Sequence, residues 1–399
     1  MFFCNNLRKT KGSEVKFAFT SEINGKCGIL IYMINYTIRL RENFYMGKDS
    51  EFYKEKARQQ KIKLRELISQ LPKPAVDFIH SKEQTTQTST LISYSYDLLT
   101  FFRFLIASNP TIAGLDIQKI DYGLLDKITP DDIEEYQRYL ELNVIGEQHE
   151  NGKKAIARKM SPLRSMYKYL LTREYISKDP TQLVALPKLK KDKNIVRMNN
   201  YEVQAILKAI DDGNAFTSER QRKYNQKTRG RDLAILTLML NTGIRVSECN
   251  GLDLTDVDFN VNSLTIVRKG GGQDIIYFND EVAEVLQDYI NGEREYIKPI
   301  EGHEKALFYS LQGRRISVDA IENLVKKYAK IVVPNKKITP HKLRSTYGTA
   351  LYRETGDIRL VADVLGHENI NTTIDYYAAI EDEHKLQARN AVDFHRKDK

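Results

Sequence analysis

The sequence predicts a mainly α-helical protein with two domains, the second carrying a small antiparallel sheet. Three observations lead there. Apolar residues recur at three- and four-residue spacing through several long segments, which is the signature of helices with one buried face. A basic, aperiodic stretch, PKLKKDKNIVR (Pro187 to Arg197), separates two such groups of segments. Two short β-type runs, Ser263 to Arg268 and Asp274 to Phe278, flank Gly270-Gly271-Gly272 and read as a hairpin.

In chain order, residues 1–45 read as an extension of uncertain status. Glu14 to Thr20 alternates apolar and polar residues, Asn24-Gly25 is a turn signal, and Cys27 to Met33 is apolar, which fits a small hairpin. An upstream segment preceding a start at Met33 or Met46 fits equally. Ser50 to Leu71 is charged and helix-favouring, and Lys73-Pro74 breaks it. Ser89 to Ala107 places Leu91, Tyr94, Leu98, Phe101, Phe102 and Leu105 on one helical face, ended by Asn109-Pro110. Thr129-Pro130 starts the next helix, with Thr as cap and Pro at its first position. Lys153 to Tyr175 is amphipathic, with Lys153, Lys154 and Arg158 on its basic side. Residues 46–186 thus form an all-helical domain, 187–198 a basic linker and 199–399 the second domain. There, Asn200 to Ile210, Gly230 to Asn241, Glu281 to Asn291, Val318 to Ile331, Leu343 to Glu354 and Ile358 to Leu365 read as helices around the hairpin.

The 399 residues suffice for two cores, and 41% hydrophobic with 29% charged residues is an ordinary globular composition. The formal charge of +9 and pI of about 9.1 favour a polyanionic partner without requiring one. Cys4, Cys27 and Cys249 have neither metal-ligand nor disulfide spacing, so a reducing cytoplasm is the expected setting. No apolar run approaches the roughly 18–20 residues of a membrane span, and no membrane partner is expected. The phosphate loop, dinucleotide and zinc-protease motifs are absent, and no metal or cofactor is expected.

Four local signals in the second domain suggest chemistry. Each also has a plain structural reading. In Thr242-Gly243-Ile244-Arg245-Val246-Ser247-Glu248, an arginine suited to bidentate phosphate contact has a carboxylate one helical turn away to hold it. In His341-Lys342-Leu343-Arg344, a proton-handling group and a permanent cation share a helix face. Leu365-Gly366-His367 reads as a helix end and tight turn, and Tyr376 follows nine residues after His367. Lys269 sits at the hairpin tip beside the glycines.

Together, in the order Arg, Lys, His-x-x-Arg, His, Tyr, these motifs resemble the tyrosine recombinase and integrase family. TGIRVSE, PHKLR, the hairpin lysine and LGHENINTTIDYY carry the resemblance, which covers about residues 75 to 390. RDLAILTLMLNTGIRVSE, VRKGGG and PHKLRST are similar to the Xer recombinases, in particular the single-protein streptococcal type. The resemblance implies a helical core-binding domain and a catalytic domain closing on double-stranded DNA as a C-shaped clamp. It implies cleavage through a 3′-phosphotyrosyl bond to Tyr376, without metal or ATP. Arg245 and Arg344 would neutralise the phosphate, Lys269 would protonate the leaving oxygen, and His341 would accept or orient the tyrosine proton. His367 would hydrogen-bond the phosphate and Glu248 would position its neighbours. Tyr377 is the second candidate nucleophile. Lys153, Lys154, Arg158, Lys188, Lys190 and Lys191 are the expected DNA contacts. A homotetramer on DNA is implied, coupled by the tail from Ala378, with Ala378, Ile380, Leu386 and Val392 as anchors. The biological task implied is chromosome dimer resolution. Integration of a mobile element by the same chemistry, a type IB topoisomerase and a non-catalytic DNA-binding protein are the alternatives.

Overall fold

A computed structural model describes residues 51–143, 149–150, 152–188, 196–212, 216, 218–268, 271–367, 369–370 and 374. The possible hairpin in residues 1–45, the tail after Tyr377 and its anchors lie outside the described residues. So do Lys190 and Lys191 of the linker.

The first group of helices packs around its own core. Helix α1 spans Glu51–Ile68, α2 Lys73–Lys82, α3 Thr88–Ser108, α4 Tyr122–Lys127, α5 Pro130–Glu141 and α6 Lys153–Thr172. Lys73-Pro74, read as a break, is the first turn of α2, where proline's missing N–H has no helical partner to lose. At the start of α5, Thr129 and Asp132 cap each other: the Thr129 N–H donates to Asp132 at 2.8 Å, and the Asp132 N–H to the Thr129 hydroxyl at 3.4 Å. Two-residue strands β1 (Leu142–Asn143) and β2 (His149–Glu150) pair antiparallel ahead of α6. Aromatic rings run through a core otherwise built mainly of leucine and isoleucine. Phe101 and Tyr136 meet edge to face at 5.0 Å, and Phe78, Phe102 and Tyr167 are fully buried. Asp97 on α3 is buried in this region, and Arg158 (3.0 Å) and Lys159 (3.3 Å) on α6 pair with it. A buried carboxylate without such partners would be strongly destabilising.

The second group comprises α7 (Asn200–Asp212), α8 (Glu219–Gln226), α9 (Arg229–Thr242), α10 (Val246–Asn250), α11 (Asp280–Asn291), α12 (Val318–Val332), α13 (Pro340–Thr355) and α14 (Ile358–Val364). Strands β3 (Val257–Asp258), β4 (Ser263–Val267) and β5 (Gln273–Tyr277) form an antiparallel sheet in that order. Ser263 pairs with Tyr277 and Val267 with Gln273, so the hairpin tip falls at 268–272, as its glycines predict. Helix α9 is the hub. Residues 234–240 are buried without a break, so it is apolar on all sides rather than amphipathic. A second core, separate from the first, surrounds it with Leu264, Ile266, Leu286, Tyr328 and Leu343. Polar side chains cap three of these helices: Asn279, Ser317 and Asp357 each accept backbone N–H at the start of α11, α12 and α14. No helix among the described residues is long and apolar enough to cross a membrane.

Candidate active site

Four segments converge at the C-terminal end of α9. Gly243 ends that helix in the left-handed region (φ 62°), donating its N–H to the Met239 carbonyl at 3.1 Å. An added Cβ there would lie 2.6 Å from Tyr347 and 2.8 Å from Leu365, so only glycine fits on both counts. The turn delivers Arg245 to the cap position of α10. Its N–H donates to Glu248 Oε2 at 2.8 Å and its Nη1 to Oε1 at 2.8 Å. The Glu248 side chain is 2% exposed, and both its oxygens are held. The Arg–Glu spacing therefore makes a fixed pair rather than a loose surface contact.

Helix α13 begins at Pro340, which places His341 in its first turn and Arg344 one turn on. Arg344 is buried. Its Nη1 donates to the Gly243 carbonyl at 2.5 Å and its Nη2 to the Leu365 carbonyl. Arg245 Nη2 donates to the next carbonyl, that of Gly366, at 2.8 Å. Two guanidiniums from different helices thus hold consecutive carbonyls directly before His367. Gly366 is left-handed (φ 57°), and the His367 N–H donates to the Ala362 carbonyl at 2.9 Å, closing α14.

This concentration of positive charge controls the histidines. Desolvation, with Arg344, Arg245, His341 and Arg268 nearby, pushes His367 down to about 4. Desolvation, then Arg344, Lys342 and Arg245, lowers His341 as well. Both imidazoles are neutral near pH 7 and able to accept a proton or donate a neutral N–H. The fixed cations are the arginines. The arrangement suits an anion with two or more oxygens, such as a phosphodiester.

Arg268 was not among the residues singled out by sequence. It is 14% exposed and lies at the base of the hairpin tip. Its Nε donates to Asp274 at 2.8 Å, its Nη1 to Glu248 at 3.3 Å and its Nη2 to the Val364 carbonyl at 3.4 Å. The signal available in sequence was an arginine directly before Lys269, with an acid six residues later across the turn. Lys269 and Tyr376 lie outside the described residues, between Arg268 and Gly271 and just beyond Ile374. Arg245, Glu248, His341, Arg344 and His367 are brought together. Lys153, Lys154 and Lys188 are exposed, and Arg158 is engaged by Asp97. Among the described residues no group of His, Cys, Asp and Glu could hold a metal ion. A cavity of about 690 Å³, lined by Phe216, Tyr224, Lys227 and Lys327, holds none of the motif residues.

Residues 196–384 match the phage integrase family, and residues 74–190 match the phage integrase SAM-like domain. The tyrosine recombinase XerC of Caldanaerobacter subterraneus subsp. tengcongensis is 34% identical over 313 residues, 76% of this chain and 81% of the relative. The tyrosine recombinase XerS of Streptococcus thermophilus is 30% identical over 356 residues, 83% of this chain and 97% of the relative. In fold, the chain is similar to the Tn1549 transposon integrase in complex with transposon right end DNA. The TM-score is 0.57 at 18% identity, covering 79% of this chain and 98% of that one. The XerH recombinase bound to difH in a pre-cleavage complex gives 0.54 at 18% identity, covering 75% and 80%.

Proposed function

Given that the chain belongs to the phage integrase family of tyrosine recombinases and is a site-specific DNA recombinase of the Xer type, we propose that Tyr376 is its nucleophile and that the residues gathered at the end of α9 are its catalytic site. The observation that carries this assignment is the convergence of Arg245 and Arg344 on consecutive carbonyls beside His367, with both histidines held neutral.

Chemistry follows from the residue types. The Tyr376 hydroxyl attacks the scissile phosphorus as His341 takes or orients its proton. The bond from phosphorus to the 5′ oxygen breaks, and that oxygen receives a proton from Lys269. The product is a 3′-phosphotyrosine and a free 5′-hydroxyl. A partner strand's 5′-hydroxyl then reverses the step, so the energy of the original bond is retained. The charge that grows on the non-bridging oxygens is met by Arg245 and Arg344. Fixed cations that meet this charge are the largest contribution such a site makes, about 3–5 kcal/mol for each arginine. His367 donates a neutral hydrogen bond to the same oxygens, and Glu248 fixes Arg245.

Residues 46–186 form the core-binding domain in this account, with residues 187–198 the linker and 199–399 the catalytic domain, and the two domains clamp duplex DNA. Lys153 and Lys154, exposed at the start of α6, and Lys188, exposed at the start of the linker, would meet phosphate, together with Lys190 and Lys191. Arg158 divides its guanidinium between Asp97 and any DNA contact. Strand exchange between two duplexes calls for four protomers on DNA in the cytoplasm, and chromosome dimer resolution is the task that fits a recombinase of the Xer type. A supercoiled plasmid carrying two copies of the recombination site tests this reading, incubated with EDTA and without ATP. The expected products are two circles, absent with Tyr376→Phe. Relaxation of the plasmid without exchange would instead assign the chain to topoisomerase chemistry.

A further inference from the structure

We propose that Arg268 is a positioning residue that sets Lys269 for leaving-group protonation by fastening the β4–β5 hairpin to the carboxylate of Glu248. The inference rests on the reading of Lys269 as general acid and adds the device that aims it.

Three observations carry the argument. First, the main chain of Arg268 forms the base of the hairpin tip. Its N–H donates to the Gly272 carbonyl at 2.8 Å, and its carbonyl accepts from the Gly271 N–H at 3.1 Å. The backbone at residue 268, directly before Lys269 in sequence, is therefore fixed. Second, the Arg268 side chain spans three elements that have no sequence proximity: Asp274 on β5, Glu248 on α10 and the Val364 carbonyl at the end of α14. Glu248 also holds Arg245. One carboxylate thus ties Arg245 to the base of the hairpin that carries Lys269 in sequence. Third, the guanidinium lies flat on Gly366. A Cβ there would fall 2.6 Å from Arg268 Cζ and 2.8 Å from its Nε, so the glycine before His367 leaves room for this arginine.

Each of the three Arg268 nitrogens donates to a protein oxygen, and those oxygens lie on the hairpin itself, on α10 and at the end of α14. The influence of Arg268 on the reaction is exerted through its neighbours.

Leaving-group chemistry separates the roles. If the bridging 5′ oxygen of the scissile phosphate is replaced by sulfur, the departing thiolate needs no proton, so a defect in general acid catalysis is suppressed. Defects in phosphate binding are not. Single-turnover cleavage of oxygen- and sulfur-bridged suicide duplexes would be compared for full-length wild type, Lys269→Ala, Arg268→Met, Arg268→Lys, Asp274→Asn and Arg344→Ala, each also assayed for duplex binding. Lys269→Ala is expected to lose ~10²–10⁴-fold on oxygen, the usual worth of a general acid, and to recover on sulfur. Arg268→Met should lose about tenfold or more on oxygen, less than Lys269→Ala, bind DNA as wild type does and recover on sulfur. Arg268→Lys should fall between Arg268→Met and wild type. Asp274→Asn changes only a half-buried carboxylate of β5 and should show a smaller loss with the same recovery, which covers the case of an unfolded Arg268→Met. Arg344→Ala should not recover.

Recovery of Lys269→Ala without recovery of the Arg268 and Asp274 variants would overturn the proposal while leaving Lys269 as the acid. Failure of Lys269→Ala itself to recover would remove the general acid reading and the proposal with it. Wild-type cleavage of the oxygen substrate by Arg268→Met would overturn the proposal alone.

Discussion

Replacing Gly243 with alanine should destabilise the protein clearly more than replacing Gly356, although the two glycines have the same local conformation. Both follow the last residue of a helix, α9 and α13, with φ of 62° and 66°. Alanine in the left-handed region costs about 1–2 kcal/mol at either position. The gain from a stiffer unfolded chain, about 0.4–1 kcal/mol, is also common to both. The surroundings differ. Nothing lies within 4 Å of a Cβ built on Gly356, whereas at Gly243 it would meet Tyr347 at 2.6 Å and Leu365 at 2.8 Å. Forcing a methyl group into a packed site costs about 1–3 kcal/mol, and that is the expected difference between the variants. At roughly 2–4 °C per kcal/mol for domains of this size, Gly243→Ala should melt about 2–12 °C below Gly356→Ala. Thermal denaturation followed by circular dichroism measures it. The Gly243 carbonyl and the Leu365 carbonyl both accept from Arg344, so Gly243→Ala should also slow DNA cleavage while Gly356→Ala does not. Equal melting temperatures for the two variants would refute the packing argument. Unchanged cleavage by a destabilised Gly243→Ala would refute the link to Arg344.

Glu248→Gln keeps the shape but removes the buried charge shared by Arg245 and Arg268, leaving two cations without their common partner. A loss of about 3 kcal/mol in urea unfolding is expected, together with cleavage reduced more than DNA binding. The two depressed histidines also give the DNA-free protein a defined acid sensitivity. An unfolded chain takes up a proton near the ordinary histidine value of about 6.5, whereas folded His367 resists until about 4. Stability should therefore be full above about pH 6.5 and fall as the pH drops from there towards 4. His367→Gln should flatten that part of the profile in a series of melting curves, and an unchanged profile would mean that His367 is not held neutral.

Much of the fold was legible because most of its helices bury one stripe. The period of α3, α6 and α12 follows from apolar residues three and four apart, and α9 shows as a run too apolar to be exposed. Helix α8 was not legible. ERQRKYNQ has no apolar stripe, and among its residues only Asn225 is buried. What anchors it is tertiary: the Asn225 side chain donates to the Ile210 carbonyl at 3.4 Å and accepts from the Tyr328 hydroxyl at 2.6 Å. Strand β3 is two residues long, too short to leave a period. The site divides the same way. Arg245 with Glu248 and His341 with Arg344 were legible because each pair shares one helical turn. That Glu248 serves Arg268 as well depends on a contact across 20 residues of chain, which local spacing cannot express. The two arginines holding the Leu365 and Gly366 carbonyls are likewise a product of α9, α13 and α14 meeting, not of any one motif.

The central claim is that DNA is cut by covalent attachment to Tyr376. Its most direct test is to trap the protein on a nicked suicide duplex carrying its site, digest the adduct, and locate the nucleotide by mass spectrometry. The account predicts a nucleotide on Tyr376, and no adduct from Tyr376→Phe. A nucleotide on Tyr377, or no adduct on a duplex that the protein demonstrably binds, would contradict it.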